Sequence, residues 1–158
     1  MGDESGVGVE SVEIYACAWR GEPTKRRTTK WTRKRWGEAM EAAFLNKAVE
    51  MGFGVAKPWG ESERYDFVVH GDRMWRVQVK ATRNLQRRQY VIPARGFTEV
   101  YTKNEIDFLV GYVEPEEAWY VIPVGALAGR TYVTLHPSGC RAGAGIFERY
   151  REAWNLMG

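Results

Sequence analysis

Residues 64–83 read RYDFVVHGDRMWRVQVKATR, and their alternation decides the fold. Apolar and polar residues alternate on both sides of HGD, the pattern of two short strands around a tight turn. The strands are expected at about residues 63–69 and 73–82, with Gly71 free to take a positive φ in the turn. Side chains alternate faces along a strand, so Gln78 and Lys80 share one face, and Val77 and Val79 share the other with Trp75. In the preceding strand Asp66 and Val68 share a face, opposite Phe67 and Val69. A tight turn then brings a carboxylate, an amide oxygen and an ammonium into one patch near a strand end.

Two readings of that patch stand side by side. Burying a lone charge is costly, and an acid with a lysine can neutralise each other as a plain ion pair. The alternative is a metal site. Mg²⁺ takes hard oxygen ligands, commonly one or two carboxylates with phosphate and water. Asp66 supplies a carboxylate and Gln78 a neutral carbonyl oxygen, while Lys80 can orient an attacking water or offset charge growing on a phosphate.

Working outward, GEAMEAAFLNKAVEMGFG predicts a helix from Gly37, stopped by Gly52 and Gly54. VAKPWGESE is a strand end and a loop. RQYVIPA reads as a short strand, EIDFLVGYV and AWYVIPV as a pair across EPEE, and TYVTLHP as a further strand. GIFERYREAWNLM has helical spacing and predicts a closing amphipathic helix. Helix, strands, helix argues for an α+β fold with a mixed sheet flanked by helices, and there is no repeat.

The chain of 158 residues is long enough for one sizeable core. Seven Trp, eight Tyr and six Phe make that core aromatic, with some rings available to stack on bases. No apolar run is long enough to span a bilayer, and the start lacks the order of a signal peptide, so no membrane partner and a cytoplasmic location are expected. Cys17 and Cys140 read as packing residues, and with His70 and His136 they do not make a zinc motif. A Gly-rich nucleotide-phosphate loop is absent. Net charge is only +3, but KRRTTKWTRKR, residues 25–35, holds seven basic residues and no acid: Lys25, Arg26, Arg27, Lys30, Arg33, Lys34 and Arg35. Arg83, Arg87 and Arg88 follow the hairpin with Tyr90, and Arg95 lies further on. Such clusters suit a phosphate backbone, or else a solvated arm. Asp107 is expected to hydrogen-bond near a strand end, while Tyr101 and Lys103 fit either phosphate contact or an ordinary exposed face.

The ordered set of G-x-x-x-E from Gly37, then Tyr65-Asp66, then Gln78-Val79-Lys80, resembles the PD-(D/E)XK nuclease superfamily. The Q-x-K spelling is similar to its group I intron homing endonucleases. The resemblance runs from about Gly37 to Lys80 and more weakly to the end of the chain. It implies a restriction-endonuclease-like core over residues 37–158, preceded by an N-terminal segment with a basic arm over residues 1–36. It implies that Asp66 is the metal-binding acid, Gln78 stands for the usual second acid, Lys80 is the catalytic lysine, and Glu41 is the helix acid, preferred over Glu38. Tyr65 stands where the family name has Pro. Gln78 removes a negative charge, for which Glu41 must compensate.

The expected activity is Mg²⁺- or Mn²⁺-dependent DNA endonuclease hydrolysis of phosphodiester bonds. Cutting both strands needs two sites, hence a homodimer or larger symmetric assembly. Two alternatives share the motif: a non-catalytic DNA-binding protein that kept the fold, and a Holliday junction resolvase-like enzyme.

Overall fold

A computed structural model describes residues 32–139 and 145–158. The elements in chain order are α1 (Arg33–Glu50), β1 (Gly54–Ala56), β2 (Phe67–His70), β3 (Met74–Thr82), β4 (Leu85–Gln86), β5 (Gln89–Pro93), β6 (Phe108–Val113), β7 (Ala118–Pro123), the one-turn α2 (Val124–Leu127) and β8 (Tyr132–Leu135). Among the described residues the strands form two sheets. The larger has the order β1-β2-β3-β6-β7, and the smaller β4-β5-β8. Only β3 and β6 run parallel, so the larger sheet is mixed, as expected.

Each face of the larger sheet is covered by something different, which is why β6 and β7 are buried on both sides. One face packs Phe67, Val77, Val79, Phe108 and Val121 against Phe44 and Ala48 of α1. The other packs Leu109, Tyr120 and Ile122 against Tyr90, Ile92, Val133 and Leu135 of the small sheet. Gly111 permits the second contact: a Cβ there would lie 2.6 Å from Ile92 Cδ1.

α1 begins four residues before the expected Gly37. Thr32 caps it, accepting the Arg35 N–H at 3.2 Å. Its first turn therefore carries Arg33, Lys34 and Arg35 and no acid, against the preference of the helix dipole. The helix ends in a glycine motif. The N–H of Gly52, at φ 89°, donates to Val49 O, and that of Phe53 to Ala48 O.

Gly71 is absent from the positive-φ residues, contrary to expectation. It is needed for close approach instead. A Cβ there would sit 1.7 Å from the Met157 carbonyl oxygen, which also accepts the Trp75 indole N–H at 2.9 Å.

The closing helix is not formed. Residues 145–158 hold two 3-10 turns, Glu148–Tyr150 and Trp154–Leu156. The reason lies in the packing. Phe147 belongs to the core under the small sheet, whereas Trp154 and Met157 belong to the core under α1. One helical face cannot serve both. The segment instead wraps the edge strand β7, bridging Arg151 to Tyr120, with Glu152 at φ 49°. Glu152 donates its N–H to Trp119 O and accepts the Trp119 N–H at 2.9 Å.

Candidate active site

β3 outruns β2. Their last pair is Phe67 with Val77, which leaves the Val79 N–H without a strand partner on that side. Asp66 takes the partner's place: its Oδ2 accepts Val79 N–H at 2.8 Å and the Gln78 amide at 2.5 Å. The Gln78 nitrogen also donates to Val79 O at 3.2 Å, so its Oε1 is the atom left over. The N-terminal half of α1 borders the vacated strand edge. The result is a groove of about 770 Å³ lined by Trp36, Glu41, Asp66, Gln78, Lys80 and Arg83 among others. A second cleft of about 400 Å³ shares Arg33, Gly37, Glu41 and Asp66 with it. Glu41 thus borders both clefts, and Glu38 only the second.

The electrostatics follow from this crowding. Burial pushes the Asp66 carboxyl up, the Val79 N–H opposes, and the charge of Glu41 pushes it up further. Burial pushes Lys80 down, against the pull of Asp66 and Glu41. Glu41 Oε2 holds the Lys57 ammonium at 2.8 Å, a bond that raises Lys57. Lys80 Nζ lies 5.9 Å from the centre of the Tyr101 ring. Tyr101 is buried, and burial followed by the Asp66 charge lifts its hydroxyl to about 12.

Among the described residues no group of three His, Cys, Asp or Glu could hold a metal. The donor set on offer is two carboxylates, Glu41 and Asp66, with the Gln78 amide. Asp66 Oδ2 is occupied by two donors, yet the carboxyl is still pushed up by burial and by Glu41. A cation between the carboxylates would offset that repulsion. Hard oxygens in this number fit an ion that keeps several waters, such as Mg²⁺.

The basic residues divide. Lys25, Arg26, Arg27 and Lys30 lie outside the described residues. Arg33, Lys34 and Arg35 are exposed on the first turn of α1, with Arg33 lining the groove and Lys34 3.8 Å from Glu61. Arg83 also lines the groove, its guanidinium 5.3 Å from the Trp36 ring centre. Arg87 and Arg88 are the exposed two-residue turn between β4 and β5, at φ 49° and 68°. Tyr90 departs from expectation. It is 4% exposed in the core between the sheets, with its hydroxyl donating to Glu116 at 3.2 Å, so it offers no surface to a phosphate.

Asp107 behaves as expected. It accepts the Arg76 backbone N–H at 2.8 Å and the Arg76 Nε at 3.1 Å. Tyr101 does not lie on an exposed face; it is buried, with its ring beside Lys80. Arg64 was not singled out in the sequence, yet it stands over Tyr101 at 5.2 Å and pairs with Glu105 at 3.0 Å. Its only sequence signal is adjacency to Tyr65-Asp66. Trp36 and Lys57 carry no signal of their own.

Among the described residues no helix is long and apolar enough to cross a membrane. The family model for PD-(D/E)XK endonucleases matches residues 31–157. Among solved structures the chain is similar to a bacterial homing endonuclease, I-Ssp6803I. The identity is 31% over 81% of this chain and 92% of that one, with a TM-score of 0.70. A comparison with curated proteins finds no match. The mixed sheet and the match across residues 31–157 agree: the chain belongs to the PD-(D/E)XK endonuclease family.

Proposed function

We propose that this nuclease is a divalent-cation-dependent endonuclease that hydrolyses phosphodiester bonds in DNA, in the manner of a homing endonuclease. The observation that carries the reading is the convergence of Glu41, Asp66, Gln78 and Lys80 on one groove, with Asp66 crowded by Glu41. Glu41, Asp66 and Gln78 would hold Mg²⁺ or Mn²⁺ by oxygen. When bound, the ion supplies a Lewis acid for the phosphate and lowers the pKa of a water. The chain's own residues do the rest. Asp66 is fixed in place by Val79 N–H and Gln78. Lys80 presents an ammonium whose burial makes it readier to give up a proton, and it faces charge that grows on the phosphate. Arg33, Lys34, Arg35, Arg83, Arg87 and Arg88 would hold the backbone, with Lys25, Arg26, Arg27 and Lys30 adding to them. Two-strand cleavage requires two copies, so a homodimer or larger symmetric assembly is proposed.

A binding-only reading is favoured by one feature: Gln78 is neutral, and its amide already bridges Asp66 and Val79 O. Competition between supercoiled plasmid, linear duplex and a four-way junction, with Mg²⁺ or Mn²⁺, separates the readings. Cleavage of duplex supports the proposal. Preference for the junction points to a resolvase-like substrate, and binding without cleavage under either ion supports the binding-only reading.

A further inference from the structure

The segment between β5 and β6 forms a small hairpin that the site above does not use. Arg95 and Val100 make an antiparallel bridge, and Gly96 N–H donates to Glu99 O at 2.9 Å. At its tip Phe97 is 98% exposed. Solvated there, the ring holds its apolar area free for a partner.

The hairpin is braced. Arg64 Nη2 donates to Glu99 O at 3.1 Å while the same guanidinium pairs with Glu105. Gly96 lies so close to it that a Cβ would sit 2.6 Å from Arg64 Nη1. The two strands of the hairpin end at Ala94 and Tyr101, both buried, joined by Tyr101 N–H to Ala94 O. Tyr101 is the ring beside Lys80. The exposed tip is therefore tied through its own base to the ring beside Lys80. Three rungs separate Tyr101 from the tip, a reach of about 10 Å at ~3.3 Å per residue. On a duplex that is roughly three base steps.

We propose that Phe97 is a DNA contact: the braced hairpin presses its ring against the bases or sugars of a duplex lying in the groove, a few base steps from the bond to be cut. This rests on the nuclease reading above. Proteins that hold DNA this way insert an apolar side chain at a base step, and the contact adds affinity without neutralising a phosphate. That last property makes it testable apart from the basic residues.

Duplexes enriched from a randomised pool by the wild-type protein, without metal, serve as the probe. Their affinity is measured by fluorescence anisotropy over a series of salt concentrations. Phe97→Ala is expected to weaken binding by on the order of tenfold with the salt slope unchanged, because no counterion release is lost. Phe97→Tyr should restore most of it. Replacing Arg87 and Arg88 by alanine should instead flatten the slope. The thermal midpoint of Phe97→Ala should match wild type, since the ring is already solvated. Binding by Phe97→Ala equal to wild type overturns this inference and leaves the nuclease reading standing. Failure of the wild-type protein to enrich any DNA overturns both.

Discussion

Asp66 and Asp107 occupy matching places on either side of β3, each immediately before a strand that pairs with it, yet their environments are opposite. Asp107 is held by three donors of Arg76. Burial works to raise it, but those bonds and the Arg76 charge outweigh it and hold the carboxyl low. Asp66 has no cation bonded to it: burial and the charge of Glu41 push it up, outweighing the Val79 N–H, the Lys80 charge and the Gln78 amide. The first is a strut. The second is a charge kept unstable in the free protein, as expected of a group that waits for a ligand.

The stability consequences have opposite signs. A depressed carboxyl stabilises above its unfolded pKa, and that contribution is lost as pH falls through the folded value. Asp107→Asn should therefore destabilise at neutral pH, by about 1–2 kcal/mol once partial exposure is discounted, with the difference fading in acid. A raised carboxyl stabilises below its unfolded pKa and loses that contribution as pH rises through the folded value. Asp66→Asn should therefore raise the metal-free thermal midpoint at neutral pH, by roughly 0.5–2 kcal/mol in stability. Thermal melts of both variants across pH check the pair. A drop for Asp66→Asn at neutral pH would contradict this assignment.

The Arg87-Arg88 turn should show a trade between stability and binding. Two-residue hairpin turns with positive φ at both positions suit Asn-Gly, and a larger side chain there costs ~1–2 kcal/mol per residue. Replacing the pair by Asn-Gly should raise the thermal midpoint and weaken DNA binding in the same protein. Melting curves and anisotropy on one preparation test both halves.

Gly71→Ala should be among the more damaging surface-loop changes. Its methyl group meets the Met157 carbonyl rather than a movable side chain. The C-terminal segment must shift, which breaks the Trp75 bond and loosens the core around Trp154. Overpacking of this kind costs about 1–3 kcal/mol. Denaturant unfolding gives the number, and an unchanged midpoint would show that the segment is not docked there.

Tyr101 should act through its ring. Its hydroxyl is held un-ionised far above neutrality, at about 12. Tyr101→Phe should therefore cleave nearly as wild type, while Tyr101→Ala should lower the turnover rate more than it raises KM, because Lys80 loses the ring beside it. Steady-state kinetics on one substrate separates the two.

Period-two alternation was enough to put Gln78 and Lys80 on one face of β3 and Asp66 beside them, because that pattern has one geometric reading. The start of α1 was hidden because Thr32 sits inside a basic run that reads as an arm. Residues 147, 150, 154 and 157 have helical spacing, but two separate cores compete for them and the edge of β7 wins. Tyr90 stood next to a basic cluster, yet β5 turns it toward the small-sheet core. Arg64 and Tyr101 meet only through tertiary structure, so no local pattern announces them.

Cleavage with sequenced ends tests the catalytic centre most directly. Genomic DNA and plasmid are incubated with Mg²⁺ or Mn²⁺ and wild type, Asp66→Ala or Lys80→Ala. Metal-dependent ends are expected from wild type, with a loss of at least about 100-fold in both variants. Cutting by either variant at the wild-type rate would contradict the assignment of the β2–β3 hairpin as the catalytic centre.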